Sequence, residues 1–254
     1  AREASIKLKR DYGEVSQLQV SKKGPADYVT VADIRTEKIL RGELTKARPD
    51  FGFLMEEAGV IEGKDPNRRW IIDPIDGTTN FVHGIAHFAM SIALQEHGRI
   101  TAGIVFNPIT EELFSAELGQ GAYLNDRRIR VSPRGGMDGA IFATGIPFMG
   151  RGSIFDHQIS LKEIGAVMAV SAGIRRFGAA SLDLAFVAAG RYDGFWENGL
   201  QPWDIAAGVI LVREAGGLVT DIQGHNLRLD AGTILTANRN LHQSLGDTLR
   251  QARK

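Results

Sequence analysis

The stretch that most constrains the fold of this chain is residues 70–81, which read WIIDPIDGTTNF. The apolar residues at 70–72 predict a short buried strand, and the strand runs directly into Asp73 and Asp76. Pro74 fixes its own φ and biases Asp73 toward an extended backbone. We therefore expect a strand that carries two acid groups into a stiff turn.

The turn after this strand combines features of a cation site and a phosphate site. Gly77 allows another backbone to approach closely, and Thr78 and Thr79 suit the first positions of a helix. Free amides at the start of a helix attract phosphate oxygens, and neighbouring carboxylates can hold a cation. A simpler interpretation stays open here, in which the two aspartates only cap a helix and Gly77 only serves the turn.

The composition narrows the possible functions. The 30 Lys and Arg residues balance the 30 Asp and Glu residues, so no overall field favours nucleic acid, which is not expected as a partner. The chain has no cysteine, which excludes thiolate nucleophiles and zinc–thiolate sites and leaves oxygen ligands for a metal such as Mg²⁺. No apolar run approaches the roughly 20 residues of a membrane span, so we expect a cytoplasmic protein without membrane contact.

The pattern of the chain changes near residue 137. Alternating apolar and polar residues at 88–131 predict an antiparallel meander, and the segment 132–136, SPRGG, is the best candidate linker. Beyond it, apolar runs at 140–144, 174–177, 194–196, 218–220 and 233–237 alternate with helical patterns at 155–170, 181–189, 205–215 and 241–250. The sequence therefore predicts an N-terminal α+β half at 1–136 and a C-terminal α/β half at 137–254.

Further acidic residues stand at the ends of apolar elements. Glu56 follows the apolar run 51–55, Asp204 precedes an apolar helix, and Asp33 lies at the start of a helix expected over 30–47. Helix capping alone would account for Asp204 and for Asp33. If Glu56, Asp204 and the two turn aspartates converge, their mutual repulsion would call for a divalent cation.

Two separated signatures, DPIDGTTN at 73–80 and WDIAAG at 203–208, carry a family resemblance. With the segments 27–33, 56–57, 121–125 and 175–183, they resemble the inositol monophosphatases, which are Mg²⁺-dependent, Li⁺-sensitive sugar phosphatases. The resemblance implies a phosphoric monoester hydrolase with a layered α-β-α-β-α sandwich, commonly dimeric, and we expect a homodimer.

The resemblance also implies a cluster of two or three Mg²⁺ ions. Glu56, Asp73 and the carbonyl of Ile75 would hold one ion, and Asp73, Asp76 and Asp204 would hold a second. A third, weaker ion would lie near Glu56.

The same resemblance assigns the reacting groups. Glu56 and the pair Thr78–Asp33 would orient an attacking water and accept its proton, while the amides of Gly77 and Thr78 would bind phosphate oxygens. No phosphoenzyme is expected.

The substrate contacts implied by the resemblance centre on Glu197, which would accept a sugar hydroxyl. The alternative for Glu197 is an exposed glutamate at a strand end. Position 179 is alanine where many relatives have a hydroxyl residue, so the substrate preference stays open. The expected substrate-binding residues are Ile75, Asp76, Gly77, Thr78, Arg175, Gly178, Ala179, Ala180, Glu197 and Asp204.

These residues favour hydrolysis of a myo-inositol monophosphate or a similar small polyol phosphate. Related phosphatases act on fructose 1,6-bisphosphate, nucleoside 3′,5′-bisphosphates, NADP or histidinol phosphate, and the metal residues do not separate these substrates. A different alternative is a non-enzymatic regulator on the same fold that binds RNA or a protein. Its candidate surface is the basic group Arg127, Arg128 and Arg130, which a solvated strand face also explains.

Overall fold

A computed structural model describes residues 1–15, 20–24, 27–148 and 152–254 of the chain. Within these residues, two β-sheets are layered with α-helices. The helices are α1 (Arg2–Gly13), α2 (Val31–Ala47), α3 (Thr78–Val82), α4 (Ile154–Met168), α5 (Ala180–Ala188), α6 (Pro202–Glu214) and α7 (His242–Ala252). A separate antiparallel pair is formed by β1 (Val20–Gly24) and β2 (Asp27–Thr30).

The larger sheet has eight strands in the order β10-β9-β8-β7-β6-β5-β3-β4. Its strands are β3 (Phe51–Met55), β4 (Gly59–Ile61), β5 (Asp65–Asp76), β6 (Ala89–Glu96), β7 (Arg99–Asn107), β8 (Glu112–Glu117), β9 (Gly121–Leu124) and β10 (Arg127–Ile129). Strands β5 to β10 form an antiparallel meander, as the alternation at 88–131 predicts. Strands β3 and β5 run parallel, so their carboxyl ends meet at the same edge.

The smaller sheet has five strands in the order β12-β11-β13-β15-β14. Its strands are β11 (Ile141–Thr144), β12 (Gly173–Arg175), β13 (Gly194–Asn198), β14 (Leu218–Thr220) and β15 (Thr233–Ala237). Strand β11 runs parallel to both β12 and β13, whereas β15 is antiparallel to β13 and β14.

Side-chain alternation along the strands builds three apolar layers. In β5, Ile71 packs into the layer that contains α5 and α6, whereas Ile72 packs on the opposite side toward α1 and α2. In β13, Phe195 faces α5 and α6, and Trp196 faces the layer of α4 and α7. The order of layers is therefore α-β-α-β-α, which confirms the predicted fold class.

Along the chain, the expected linker at 132–136 lies between β10, the last strand of the larger sheet, and β11, the first strand of the smaller one. The apolar cluster around α5 and α6 contains Ile71 of the larger sheet and Phe195 of the smaller one, so the two halves share a core. The division into an α+β half and an α/β half stays a prediction about organisation.

Helix α6 differs from the expected helix at 205–215, because it begins three positions earlier, at Pro202. Gln201 is the N-cap, and the Asp204 side chain accepts a hydrogen bond from its backbone N–H at 2.7 Å. Asp204 therefore lies in the first turn of the helix rather than at the N-cap. Proline at the first helical position explains the early start, because its fixed φ suits a helix and it has no N–H to satisfy.

No helix in the described parts of the chain is long and apolar enough to cross a bilayer.

Candidate active site

Parallel pairing of β3 and β5 places the first two carboxylates side by side. Met55 at the end of β3 is in register with Ile72 of β5, and the next backbone N–H, that of Glu56, donates to the Ile72 carbonyl at 3.2 Å. Glu56 and Asp73 therefore follow directly at the same edge of the sheet.

A hydrogen bond between β6 and α6 brings the start of the helix to this edge. Ser91 on β6 lies opposite Asp73, and its hydroxyl donates to the carbonyl of Trp203 at 3.1 Å. The next residue is Asp204. A carboxylate that follows Asp73 by more than a hundred positions in the sequence is thereby fixed beside it.

Close packing of α6 depends on two glycines. A Cβ at Gly103 of β7 would lie 2.9 Å from the Cα of Ala207, and a Cβ at Gly208 would lie 2.4 Å from the side chain of Leu184 on α5. Both distances are shorter than a normal carbon contact, so only glycine allows α6 to sit this close to β7 and α5.

The amino end of α5 holds Asp76. The backbone N–H of Ser181 donates to Asp76 Oδ2 at 2.7 Å, and the Ser181 hydroxyl donates to the same oxygen at 2.5 Å. Burial raises the pKa of Asp76 to about 6, and these hydrogen bonds oppose the rise because they stabilise the charged form. Sequence reasoning missed this role of Ser181, although a serine in the first turn of a predicted helix is a general signal for anion contacts.

Asp33 caps α2 and also contacts Thr78. Its carboxylate accepts from the backbone N–H of Thr30 at 2.8 Å and from the Thr30 hydroxyl at 2.6 Å, which completes the capping box of α2. The Thr78 hydroxyl lies 3.2 Å from Asp33 Oδ1 and 2.9 Å from the carbonyl of Ile75. Burial raises the pKa of Asp33 to about 6, against the lowering effect of the Thr30 hydrogen bonds.

These elements enclose a cleft of about 110 Å³, which we call the acidic cleft. Of the predicted site residues, those lining it are Glu56, Asp73, Ile75, Asp76, Gly77, Thr78, Gly178, Ala180, Glu197 and Asp204. Burial raises the pKa of Asp73 well above its usual range, and the charges of Glu56, Asp76 and Asp204 raise it further. Ionisation of Asp73 is therefore opposed first by burial and then by the neighbouring carboxylates.

The chemistry of the donors fits a hard cation, since the acidic cleft offers carboxylate and carbonyl oxygens and the chain has no thiolate. In the described part of the chain, no three His, Cys, Asp or Glu side chains are already gathered in ligand geometry around one point. Some carboxylate oxygens accept protein hydrogen bonds instead: Asp73 Oδ1 accepts from the Ile75 N–H at 2.9 Å, and Asp204 Oδ2 accepts from Gln201.

Gly77 and Asn80 join the turn after β5 to the segment before α5. Gly77 has φ 92°, and a Cβ there would lie 3.1 Å from the His87 carbonyl and 3.2 Å from the Ala179 side chain. The Asn80 side-chain amide donates to the carbonyls of His87 and Phe177, each at 2.7 Å. The two walls of the acidic cleft are therefore tied together by one buried amide.

Glu197 at the end of β13 reaches the acidic cleft over Gly145. A Cβ at position 145 would lie 1.9 Å from the carboxyl carbon of Glu197. The glutamate therefore occupies the space that a side chain at position 145 would fill, and it lines the cleft rather than standing exposed at a strand end.

Two predicted substrate contacts are placed differently. Arg175 is exposed, its guanidinium donates to the Ile174 carbonyl at 3.1 Å, and Arg176 lines the acidic cleft instead. Consecutive residues of an extended segment point to opposite sides, so only one of these arginines can face the cleft. Ala179 is also not a lining residue, because it is buried against Gly77.

Other residues near the cleft carry no sequence motif that would reveal them. Ile146, Phe148 and Leu200 line it as apolar neighbours. Asp183 on α5 is buried, and neither of its oxygens has a hydrogen-bond partner among the described residues. Burial raises the pKa of Asp183 well above its usual range, and the charges of Glu197 and Asp76 raise it further.

Known proteins resemble this chain over almost its whole length. A family model described as the inositol monophosphatase family matches residues 1–254. The inositol-1-monophosphatase of Rhizobium meliloti is 54% identical over 248 residues, covering 98% of this chain and 92% of the relative. The Nus factor SuhB of Escherichia coli is 42% identical over 260 residues, covering 99% of this chain and 96% of the relative. The crystal structure of extragenic suppressor protein suhB from Bartonella henselae matches with a TM-score of 0.95 and 54% identity, covering 99% of this chain and 95% of that one.

Proposed function

Because the chain belongs to the inositol monophosphatase family and is a phosphatase, we propose that it hydrolyses myo-inositol monophosphate, or a similar small polyol phosphate, to inositol and phosphate. The observation that carries the proposal is the set of carboxylates of Glu56, Asp73, Asp76 and Asp204 lining one cleft. In the same cleft, Gly77 and Thr78 offer the start of a helix to phosphate oxygens, and Glu197 offers a carboxylate to hydroxyl groups.

Family members are generally metal dependent, and we assign two or three Mg²⁺ ions to the acidic cleft. Glu56, Asp73 and the Ile75 carbonyl would hold one ion, and Asp73, Asp76 and Asp204 would hold a second. A third, weaker ion would lie near Glu56. Bound Mg²⁺ would neutralise phosphate oxygens and lower the pKa of the attacking water.

The protein groups orient the water and receive its proton. In the reaction, water attacks phosphorus, the phosphorus–oxygen ester bond breaks, and the alcohol oxygen takes up a proton. Asp33 fixes the Thr78 hydroxyl at 3.2 Å, so that this hydroxyl can orient the water. A pKa of about 6 leaves Asp33 mostly ionised near neutral pH and suited to accept a proton through Thr78, while Glu56 offers a second acceptor.

The leaving alcohol would lie between Glu197 and the segment that begins α5. Glu197 would accept a hydrogen bond from a polyol hydroxyl, and the backbone of Gly178 and Ala180 would contact the ring. Arg176, rather than Arg175, supplies the nearby positive charge.

The test is phosphate release from myo-inositol 1-phosphate over a range of Mg²⁺ concentrations, with and without Li⁺. Activity that rises with Mg²⁺ and falls with Li⁺ is expected. The same assay with fructose 1,6-bisphosphate, a nucleoside 3′,5′-bisphosphate, NADP and histidinol phosphate tests the substrate. A clear preference for any of these four would overturn the assignment of a polyol monophosphate.

A second candidate function is a non-enzymatic regulator that binds RNA or a protein, and it is supported by relatives named Nus factor SuhB. The exposed arginines Arg127 and Arg128, next to Arg130, lie on or beside β10 at the edge of the larger sheet. A gel shift with RNA across a salt series tests this function. Binding that survives physiological salt, together with absent phosphatase activity, would favour the regulator over the enzyme.

We also assign a homodimer, formed through the outer face of α4. Ile154, Leu161 and Met168 are spaced by seven residues on one face of this helix and are 79%, 67% and 66% exposed. A second copy of the chain is the expected partner, because it would cover these three exposed apolar side chains. Sedimentation should show a dimer that Leu161→Glu converts to a monomer.

The expected cytoplasmic location stays a prediction that cell fractionation would test.

A further inference from the structure

A second cleft lies on the other side of α6, between that helix and the hairpin of β6 and β7. Its volume is about 480 Å³, within the range of roughly 300–1,000 Å³ typical of small-molecule sites. Its lining includes the arginines Arg69, Arg99 and Arg213, and we call it the arginine cleft.

The positive charges of this cleft are not neutralised by the protein. Arg69 donates to the side-chain oxygen of Gln95 at 2.7 Å, and that acceptor is neutral. Among the described residues, no side-chain hydrogen bond or ion pair is formed by the guanidinium groups of Arg99 and Arg213. The acid that lines the cleft, Asp230, accepts two hydrogen bonds from Arg228, at 3.1 and 2.9 Å.

The arginines also repel one another. Partial burial lowers the pKa of Arg213, and the charge of Arg99 lowers it further. A guanidinium nevertheless stays protonated at physiological pH. Arg99 and Arg213 therefore present two like charges to the same cleft. An anion between them would relieve this repulsion and could accept bidentate hydrogen bonds.

The wall between the arginines is apolar. Ile100, Val209 and Ile210 line the cleft and are buried, and Leu118 at its mouth is 44% exposed. None of the described residues that line the cleft is aromatic, so these residues offer no platform for stacking bases of a single-stranded nucleic acid. An anionic group attached to a compact apolar body matches this combination of charge and surface.

We propose that the arginine cleft is a binding site for a small organic phosphate or phosphonate dianion. The dianion would contact Arg99 and Arg213, and its apolar body would lie against Ile100, Val209 and Ile210. The two clefts share no lining residue, so this site is separate from the acidic cleft. It does not depend on the proposed phosphatase substrate.

The test is calorimetric titration of the full chain with phenylphosphonate, in low salt and with a chelator. Without a divalent cation, the carboxylates of the acidic cleft repel a dianion, so that binding reports the arginine cleft. One site is expected. Arg99→Gln and Arg213→Gln should each raise the Kd at least about tenfold, because each removes a charge-assisted hydrogen bond. Arg41→Gln, at an exposed arginine on α2, is the matched control and should leave the Kd unchanged.

Two further measurements make the outcome decisive. Inorganic phosphate should bind more weakly than phenylphosphonate, because it has no apolar body. Leu118→Glu places a carboxylate at the exposed mouth, where it disturbs little packing, and should abolish binding. Absence of phenylphosphonate binding, an unchanged Kd in both arginine variants, or equal affinity for inorganic phosphate would each overturn the proposal.

Discussion

Helix α6 separates two clefts of opposite charge. At about 100° per residue, Asp204 lies on the far side of the helix from Pro202, whereas Val209 and Arg213 return to the side of Pro202. The acidic cleft lies on the side of Asp204, and the arginine cleft lies on the side of Pro202, Val209 and Arg213. Asp204 is in the first turn and Arg213 in the last, so both charges are also favourable for the helix dipole.

The two clefts differ in how their charges are held. In the acidic cleft, each carboxylate is placed by a strand end or a helix start, and most accept hydrogen bonds from the protein. The arginines of the arginine cleft come from β5, the start of β7 and the end of α6. Of their side chains, that of Arg69 is held by a hydrogen bond to Gln95. The comparison predicts that the acidic cleft, the proposed active site, is the more rigid of the two and that the arginine cleft is the more adaptable.

The strongest way to break this comparison is to neutralise one carboxylate on each side of α6. Asp204→Asn should lower kcat by roughly 100-fold or more, because it removes a charge from the proposed metal site without changing side-chain size. The fold should be intact by circular dichroism. Asp230→Asn in the arginine cleft is the matched variant and should leave kcat within about twofold. Equal losses in the two variants would contradict the assignment of separate roles.

Much of the fold is predictable because its strands are apolar runs between turn residues. The structure has β3, β14 and β15 at the bounds that the sequence predicts, 51–55, 218–220 and 233–237. Each run has strongly β-forming residues between polar or glycine-containing segments. The grouping of acids in one cleft was also predictable, since Glu56 and Asp73 each end such a run.

The remaining features depend on contacts that no local pattern encodes. The sequence predicts a start of α6 at residue 205, three positions too late, because Asp204 at the third helical position resembles an N-cap. Arg175 and Arg176 are adjacent, and only the direction of the backbone decides which of them faces the cleft. The arginine cleft is built from positions 69, 99 and 213, and each arginine alone has the pattern of a solvated surface charge.

The rigidity of the acidic cleft can be tested at its buried amide. Asn80→Ala removes the donors to the carbonyls of His87 and Phe177, and we expect a loss of about 2–3 kcal/mol in the free energy of unfolding. Urea denaturation measures it. Gln95→Ala removes the acceptor of Arg69 in the arginine cleft and should cost less than about 1 kcal/mol. A larger loss for Gln95→Ala would reverse the proposed order of rigidity.

A smaller change at the acidic cleft should separate activity from stability. Gly145→Ala would place a methyl group where the carboxylate of Glu197 lies, and the flexible glutamate would have to turn away. We expect kcat/KM for myo-inositol 1-phosphate to fall about tenfold, mainly through KM, with little change in Tm. Gly135→Ala is the control, because a Cβ there meets no atom within 4 Å. Unchanged KM in Gly145→Ala would rule out a substrate contact by Glu197.

The pH dependence of stability should reveal the unpartnered carboxyl of Asp183. Because its folded pKa lies well above the ordinary value of 3.8, the folded state binds more protons than the unfolded state above about pH 4. Its contribution to stability is therefore greatest at low pH and is lost as pH rises toward the folded pKa, by at most about 1.4 kcal/mol per pH unit.

Asp183→Asn removes this titration while it keeps the size of the side chain. With a chelator present, the variant should match the parent protein near pH 4 and become more stable than it as pH rises to 8, by thermal or urea unfolding. Asp33 contributes alike in both proteins. Removal of the Asp183 charge also favours ionisation of Asp76, which acts in the same direction at high pH. Asp230→Asn supplies the contrast, because Arg228 lowers the pKa of Asp230 and the sign of the pH effect is opposite. A constant difference between Asp183→Asn and the parent across this range would contradict a raised pKa for Asp183.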